Sequence, residues 1–195
     1  MTSAMGELKA ATAAHHERLE RRVDIERHLR SRAAYRALLE RFYGFHRPIE
    51  TVLAPFAGPF TPRHPLLAQD IAALGGDVAS LPIATRLPEV HSVRDALGVL
   101  YVLEGSALGG AVIGRMVERH LGLHSTYFAW RGIAARWRAF GAHVERHAPV
   151  SPQAAVATFE DMEVWICGDA RLTARVAASS RPEGSDSRAL GSRRV

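Results

Sequence analysis

Apolar residues recur at intervals of three and four along most of the chain, the period of an α-helix with one buried face. Leu8, Ala11, Leu19 and Val23 mark a first helix over residues 3–26, with Ser3 placed to cap it. Ala34, Leu38, Phe42, Phe45 and Ile49 mark a second over residues 31–53, in which Pro48 is a candidate kink. Pro55, Pro59, Pro62 and Pro65 then read as an irregular connection. A short helix over residues 66–74 stops at the Gly75–Gly76 pair, and a loop passes Pro82 and Pro88. The longest apolar stretch predicts one helix over residues 92–121, opened by Ser92 with Asp95 three positions on. A fifth helix covers residues 133–147. A sixth starts at Ser151–Pro152, a cap followed by proline in the first turn, and runs through Ala155, Phe159, Met162 and Ile166 towards residue 176. Residues 179–195 are polar and arginine-rich and read as a flexible tail. No strand pattern and no internal repeat is visible. The expectation is an all-α chain with one domain over residues 1–178.

Composition narrows the class. Hydrophobic residues make up 47% and charged residues 23%, an ordinary globular balance that excludes a disordered or fibrous chain. No run of apolar residues reaches the length of a membrane span, and no secretory signal opens the sequence, so no membrane association is expected. The single cysteine, Cys167, excludes an internal disulfide and points to a reducing cytoplasm; it reads as a small buried hydrophobe. Net charge is +5, and every basic residue except Lys9 is arginine. These arginines are scattered and are not interleaved with aromatics, so nucleic acid is not the expected partner.

Candidate chemistry lies in two segments. Leu100 to Gly114 reads LYVLEGSALGGAVIG. Each glycine inside a helix costs roughly 1 kcal/mol relative to alanine. Gly105 and Gly109 share a face on which backbone is open to close approach, by another helix or by a flat ligand. In the first helix, His15 and His16 border the apolar stripe. Lys9 lies two turns before His16 on nearly the same face, and Glu20 one turn after it. A neutral imidazole can ligate a metal through one nitrogen while an acceptor such as Glu20 holds the other. Periodicity alone does not choose between His15 and His16. The histidine pairs His120/His124 and His143/His147 lack the glutamate of a zinc-protease motif and read as surface or capping groups. No E-x-x-H pair of a di-iron bundle is present. Phe159 and Trp165 read as core.

Together the two segments resemble the heme oxygenase family, and its bacterial branch most closely. Leu8, Lys9, Thr12 and His16 match the stretch that supplies the proximal heme ligand; Gly105, Ser106, Gly109 and Gly110 match the glycine-rich distal helix. The resemblance implies a helical bundle with heme between these helices, His16 rather than His15 as the iron ligand, and Glu20 behind it. It implies Lys9 and Tyr101 as propionate anchors, with Arg115 and Arg138 as further candidates. Many members carry aspartate where this chain has Ser106, which leaves the route of proton delivery open. The implied reaction is cleavage of heme to biliverdin (the IXα isomer), carbon monoxide and ferrous iron, using dioxygen and electrons from an external donor such as a ferredoxin or reductase. Branch members linked to bacteriophytochromes add a bilin-accepting phytochrome to the implied partners. The alternative is a heme-binding carrier or sensor on the same fold that does not turn over.

Overall fold

Four serines punctuate the helices where the sequence places them. In the computed structural model, which describes residues 3–56, 60–129 and 132–168, each serine hydroxyl accepts the backbone N–H three residues on. The pairs are Ser3–Gly6 and Ser31–Ala34 at 3.1 Å, and Ser92–Asp95 and Ser151–Ala154 at 3.3 Å. Each thereby satisfies one of the free donors at a helix start. The described residues are all-helical. The elements are α1 (Ala4–Val23), α2 (Ile25–His28), α3 (Arg32–Leu53), α4 (His64–Ala73), a 3-10 turn (Val78–Ser80), α5 (Val93–Ser106), α6 (Gly110–Leu121), α7 (Ile133–Arg146) and α8 (Pro152–Cys167).

The expected first helix ends early. Asp24 takes a left-handed conformation (φ 43°), closes α1, and caps the one-turn α2 through its own side chain. Pro48 lies within α3, which continues to Leu53. The short fourth helix begins at His64, two residues ahead of its expected start, and Gly75 turns the chain away from it at φ +75°.

A larger correction concerns the long glycine-bearing helix. Residues 92–121 form two helices, not one, with a break at Ala107–Leu108–Gly109. There the amides of Ala107, Leu108 and Gly110 bond to the carbonyls of Glu104, Gly105 and Ala107, each three residues back. The tighter turn leaves the apolar pattern continuous, which is why periodicity reads straight through it. The stretch Val93–Leu121 is apolar enough by composition to cross a bilayer, but 56% of its most apolar window is buried inside the fold.

Two apolar clusters hold the bundle. One joins α1, α3, α5 and α8 through Leu8, Leu38, Phe45, Leu97, Val102, Phe159 and Trp165. The other joins α3, α4, α6 and the 125–128 turn through Tyr35, Leu39, Leu67, Ile71, Val117, Tyr127 and Phe128. Helix α8 lies between α1 and α5. Glu163 on α8 accepts from Arg18 and Arg22 of α1, both at 2.6 Å, and fixes the roll of α1 about its axis. The expected extension of the last helix to residue 176 and the tail over residues 179–195 lie outside the described residues.

Candidate functional site

Helix α1 sets its two histidines in different surroundings. His15 is largely covered, at 20% exposed; its Nδ1 lies 3.2 Å from the Arg18 guanidinium and 4.0 Å from Glu160. His16 is 51% exposed. Its Nδ1 lies 3.6 Å from Glu20 Oε2, and its ring stands edge-on to Phe159 with centroids 5.8 Å apart. With the carboxylate on the Nδ1 side, Nε2 is the ring nitrogen away from Glu20. Geometry thus separates the two residues that periodicity left equivalent.

The two sequence segments meet through a third helix. Tyr101 of α5 is half-buried and burial raises its pKa, opposed by its neighbour Thr12 of α1, one turn before His16. Gly105 lies one turn after Tyr101. A Cβ placed on Gly105 would stand 3.5 Å from the Trp137 ring of α7, and Trp137 packs on Tyr101 with centroids 5.6 Å apart. Helix α7 is tied down at both ends. Glu145 accepts the Ala4 and Met5 amides at the start of α1, at 3.1 and 3.0 Å. Arg136 forms a two-pronged ion pair with buried Glu104, at 2.8 and 2.7 Å, and reaches Thr61 at 3.2 Å. Arg136, not the exposed Arg138, is therefore the arginine of α7 that contacts the distal helix. Sequence reading misses it because its partner is 32 residues away and the two arginines look alike. Arg115 is exposed on α6, and Lys9 is exposed on α1.

The four distal residues divide by what faces them. Gly109 is exposed, and a Cβ there would meet nothing within 4 Å. Ser106 is exposed, with its hydroxyl 2.8 Å from Leu103 O. Gly105 faces Trp137 at ordinary contact distance. Gly110, expected in the same role, is buried, with Phe128 O 3.2 Å from the Cβ position; Gly114 is similar at 3.5 Å. Close packing of α6 on the 125–128 turn explains those two glycines, and open space explains Gly109. Leu108 and Val112 beside it are 42% and 53% exposed, so the break presents apolar side chains at the surface.

An exposed imidazole beside a carboxylate on α1 and a glycine-bearing apolar break between α5 and α6 are thus set in an all-helical bundle. The chain belongs to the heme oxygenase family: the model of that family matches residues 2–158. A protein named heme oxygenase from Xanthomonas campestris pv. campestris (strain 8004) is 35% identical over 111 residues, which is 53% of this chain. The match spans 64% of the length of that curated relative.

Proposed function

We propose that this chain is a heme-cleaving oxygenase that holds heme between α1 and the α5–α6 break, with His16 Nε2 as the iron ligand. One observation carries the reading: His16 alone of the two adjacent histidines presents an exposed ring, with Glu20 on its far nitrogen. The surroundings fit heme. Gly109, Leu108 and Val112 offer an apolar surface with room where a side chain would stand, and Lys9 offers a cation for a propionate. Bound there, heme supplies both the ring that is cleaved and the iron at which dioxygen is reduced, and the products are biliverdin, carbon monoxide and ferrous iron.

The residues do the rest. Glu20, 3.6 Å from Nδ1, puts a negative charge on that side of the ring, which favours a proton at Nδ1 and leaves Nε2 as the basic nitrogen. Gly109 keeps side-chain bulk out of the space that dioxygen needs, while Gly105 leaves room for the Trp137 ring beside it. Leu108 and Val112, exposed in the protein alone, would shed water against a bound ring. Lys9 and Tyr101 hold the propionates and set the in-plane rotation, which selects the IXα product. Electrons come from a separate donor, and a net charge of +5 favours an acidic ferredoxin or reductase.

Hemin titration of the wild type, His15→Ala and His16→Ala tests the ligand. Loss of the histidine-ligated Soret spectrum in His16→Ala alone is the expected result. Its loss in His15→Ala alone would put the register off by one, and a wild type without that spectrum would remove the reading.

A further inference from the structure

Successive turns of α8 present different groups to α1, and together they fix how α1 lies. Phe159, Glu160 and Glu163 are three and four residues apart, so they share one face of α8. Glu160 stands 4.0 Å from His15 Nδ1, and Phe159 meets the His16 ring edge-on with centroids 5.8 Å apart. One turn further on, Glu163 accepts from Arg18 and Arg22. The Arg18 Nε reaches one carboxylate oxygen and the Arg22 Nη1 the other, both at 2.6 Å. The two donors come from neighbouring turns of α1, so a slide of α1 that relaxes one contact stretches the other. The Glu163 carboxylate is only 8% exposed. Burial would raise its pKa, but Arg22 and Arg18 outweigh burial and hold it below the ordinary value. A buried charge that loses its partners is costly, so α1 is kept where both arginines reach.

Arg18 has a second duty. Its Nη2 lies 3.2 Å from His15 Nδ1. A guanidinium only donates, so His15 Nδ1 is the acceptor and its lone pair is taken. An imidazole that accepts at Nδ1 carries its proton at Nε2, which leaves no lone pair for a metal ion. Glu160 is too far from that Nδ1 to accept a proton from it and reverse the direction. His16 is arranged the other way round. Its Nδ1 faces the Glu20 carboxylate at 3.6 Å, which favours a proton there and leaves Nε2 bare.

We propose that Glu163 is the positioning residue that aims His16. Through Arg18 and Arg22 it sets the roll and register of α1 and keeps the His16 ring on Phe159, and through Arg18 it withdraws His15 from competition for the iron. The role of His16 in this rests on the heme-cleaving reading, whereas the seam and the His15 proton belong to the protein alone.

Two sets of measurements on the full chain test it. Without ligand, proton NMR should show cross-peaks between the His16 and Phe159 rings, and nitrogen-15 shifts should place the His15 proton on Nε2. Glu163→Gln keeps the volume and removes the charge that gathers the two arginines, so it should weaken those cross-peaks. Arg18→Met should release His15 to a mixture of tautomers. In the ferrous hemin complex, the iron–histidine stretching band in resonance Raman reports how the His16 ring meets the iron. That band should shift in Glu163→Gln, and hemin should leave about tenfold faster, the worth of one charge-assisted contact. Ser3→Ala, which removes the cap of α1 far from the seam, is the structural control: it should melt lower with the band unmoved. Unchanged cross-peaks or an unchanged band in Glu163→Gln, whatever its melting temperature, overturns the inference, because Glu163 would then stabilise α1 without aiming it. A wild-type His15 protonated at Nδ1 overturns it as well. Should Glu163→Gln not fold, Arg22→Met, which leaves Glu163 one partner, carries the same comparison. A wild type that takes up no hemin defeats the heme reading, and the ligand-free cross-peaks and His15 tautomer then decide whether Glu163 orients α1.

Discussion

Replacing Gly109 by valine separates the cost of folding from the cost of binding. Gly109 sits in the right-handed helical region (φ −71°, ψ −17°), so any L-residue adopts its backbone without strain. Its Cβ position has no neighbour within 4 Å. Alanine there should stabilise the fold by about 0.4–1 kcal/mol, because the unfolded chain loses freedom. Valine should gain less, since its branched carbon is stiff in a helix. In a chain of 195 residues, 1 kcal/mol moves Tm by about 2–4 °C, so both variants should melt within that range of the wild type. Two controls bracket the result. Gly110→Ala must displace Phe128 O at 3.2 Å, and Gly98→Ala would drive a methyl into Ser151 O, where α5 and α8 touch, and should unfold. Binding should respond in the opposite order. An isopropyl group at residue 109 would enter the proposed heme site, and overpacking of this size costs about 1–3 kcal/mol, or roughly 5–150-fold in hemin affinity. Thermal melts and hemin titration of Gly109→Ala, Gly109→Val and Gly110→Ala give both quantities. A Gly109→Val protein with normal melting, affinity and turnover would refute the assignment of this glycine to the ligand. One that unfolds would refute the open space.

Three further outcomes follow from the contacts. Arg136→Met leaves Glu104 buried without its two-pronged partner; loss of about 3 kcal/mol is expected by chemical denaturation, and a change below about 1 kcal/mol would show that Glu104 is satisfied elsewhere. Burial would raise the Glu50 carboxyl, but the rings of His46 and His64, 2.9 and 2.6 Å away, hold its folded pKa at about 2 against an ordinary value of 4.5. It contributes stability that is present above pH 4.5 and lost as pH falls towards 2. That window is worth about 3 kcal/mol, and buried, neutral His46 adds to acid lability below its ordinary pKa, so unfolding of Glu50→Gln should show a flatter pH dependence there. Replacing Lys9 and Tyr101 together should release the ring orientation and give mixed biliverdin isomers by chromatography, whereas a wild-type product dominated by another isomer would place the anchors elsewhere.

Helix existence and helix starts were legible because they depend on local signals. Ser3, Ser31, Ser92 and Ser151 each cap with their own hydroxyl, and apolar spacing within a helix is visible in any short window. The break at 107–109 was hidden because a three-residue tightening leaves the apolar pattern intact. Its glycines carried the signal, but Gly110 and Gly114 serve packing on Phe128 while Gly109 faces open space, and spacing cannot divide them. His16 and Glu20 were readable as an i,i+4 pair. The family resemblance chose His16 over His15; the different surroundings of the two, with Arg18 and Glu160 beside His15, were not legible because Glu160 lies on a distant helix. The Glu163–Arg18 pair joins residues 145 positions apart, so no local pattern announces it.

Aerobic incubation of the purified chain with hemin and a reductant, with the pigment identified by chromatography, tests the central claim most directly. The account predicts loss of the Soret band, biliverdin IXα as the main pigment, release of carbon monoxide, and none of these in His16→Ala. A histidine-ligated complex whose Soret band survives reductant and dioxygen would contradict it, and would make the chain a heme carrier or sensor.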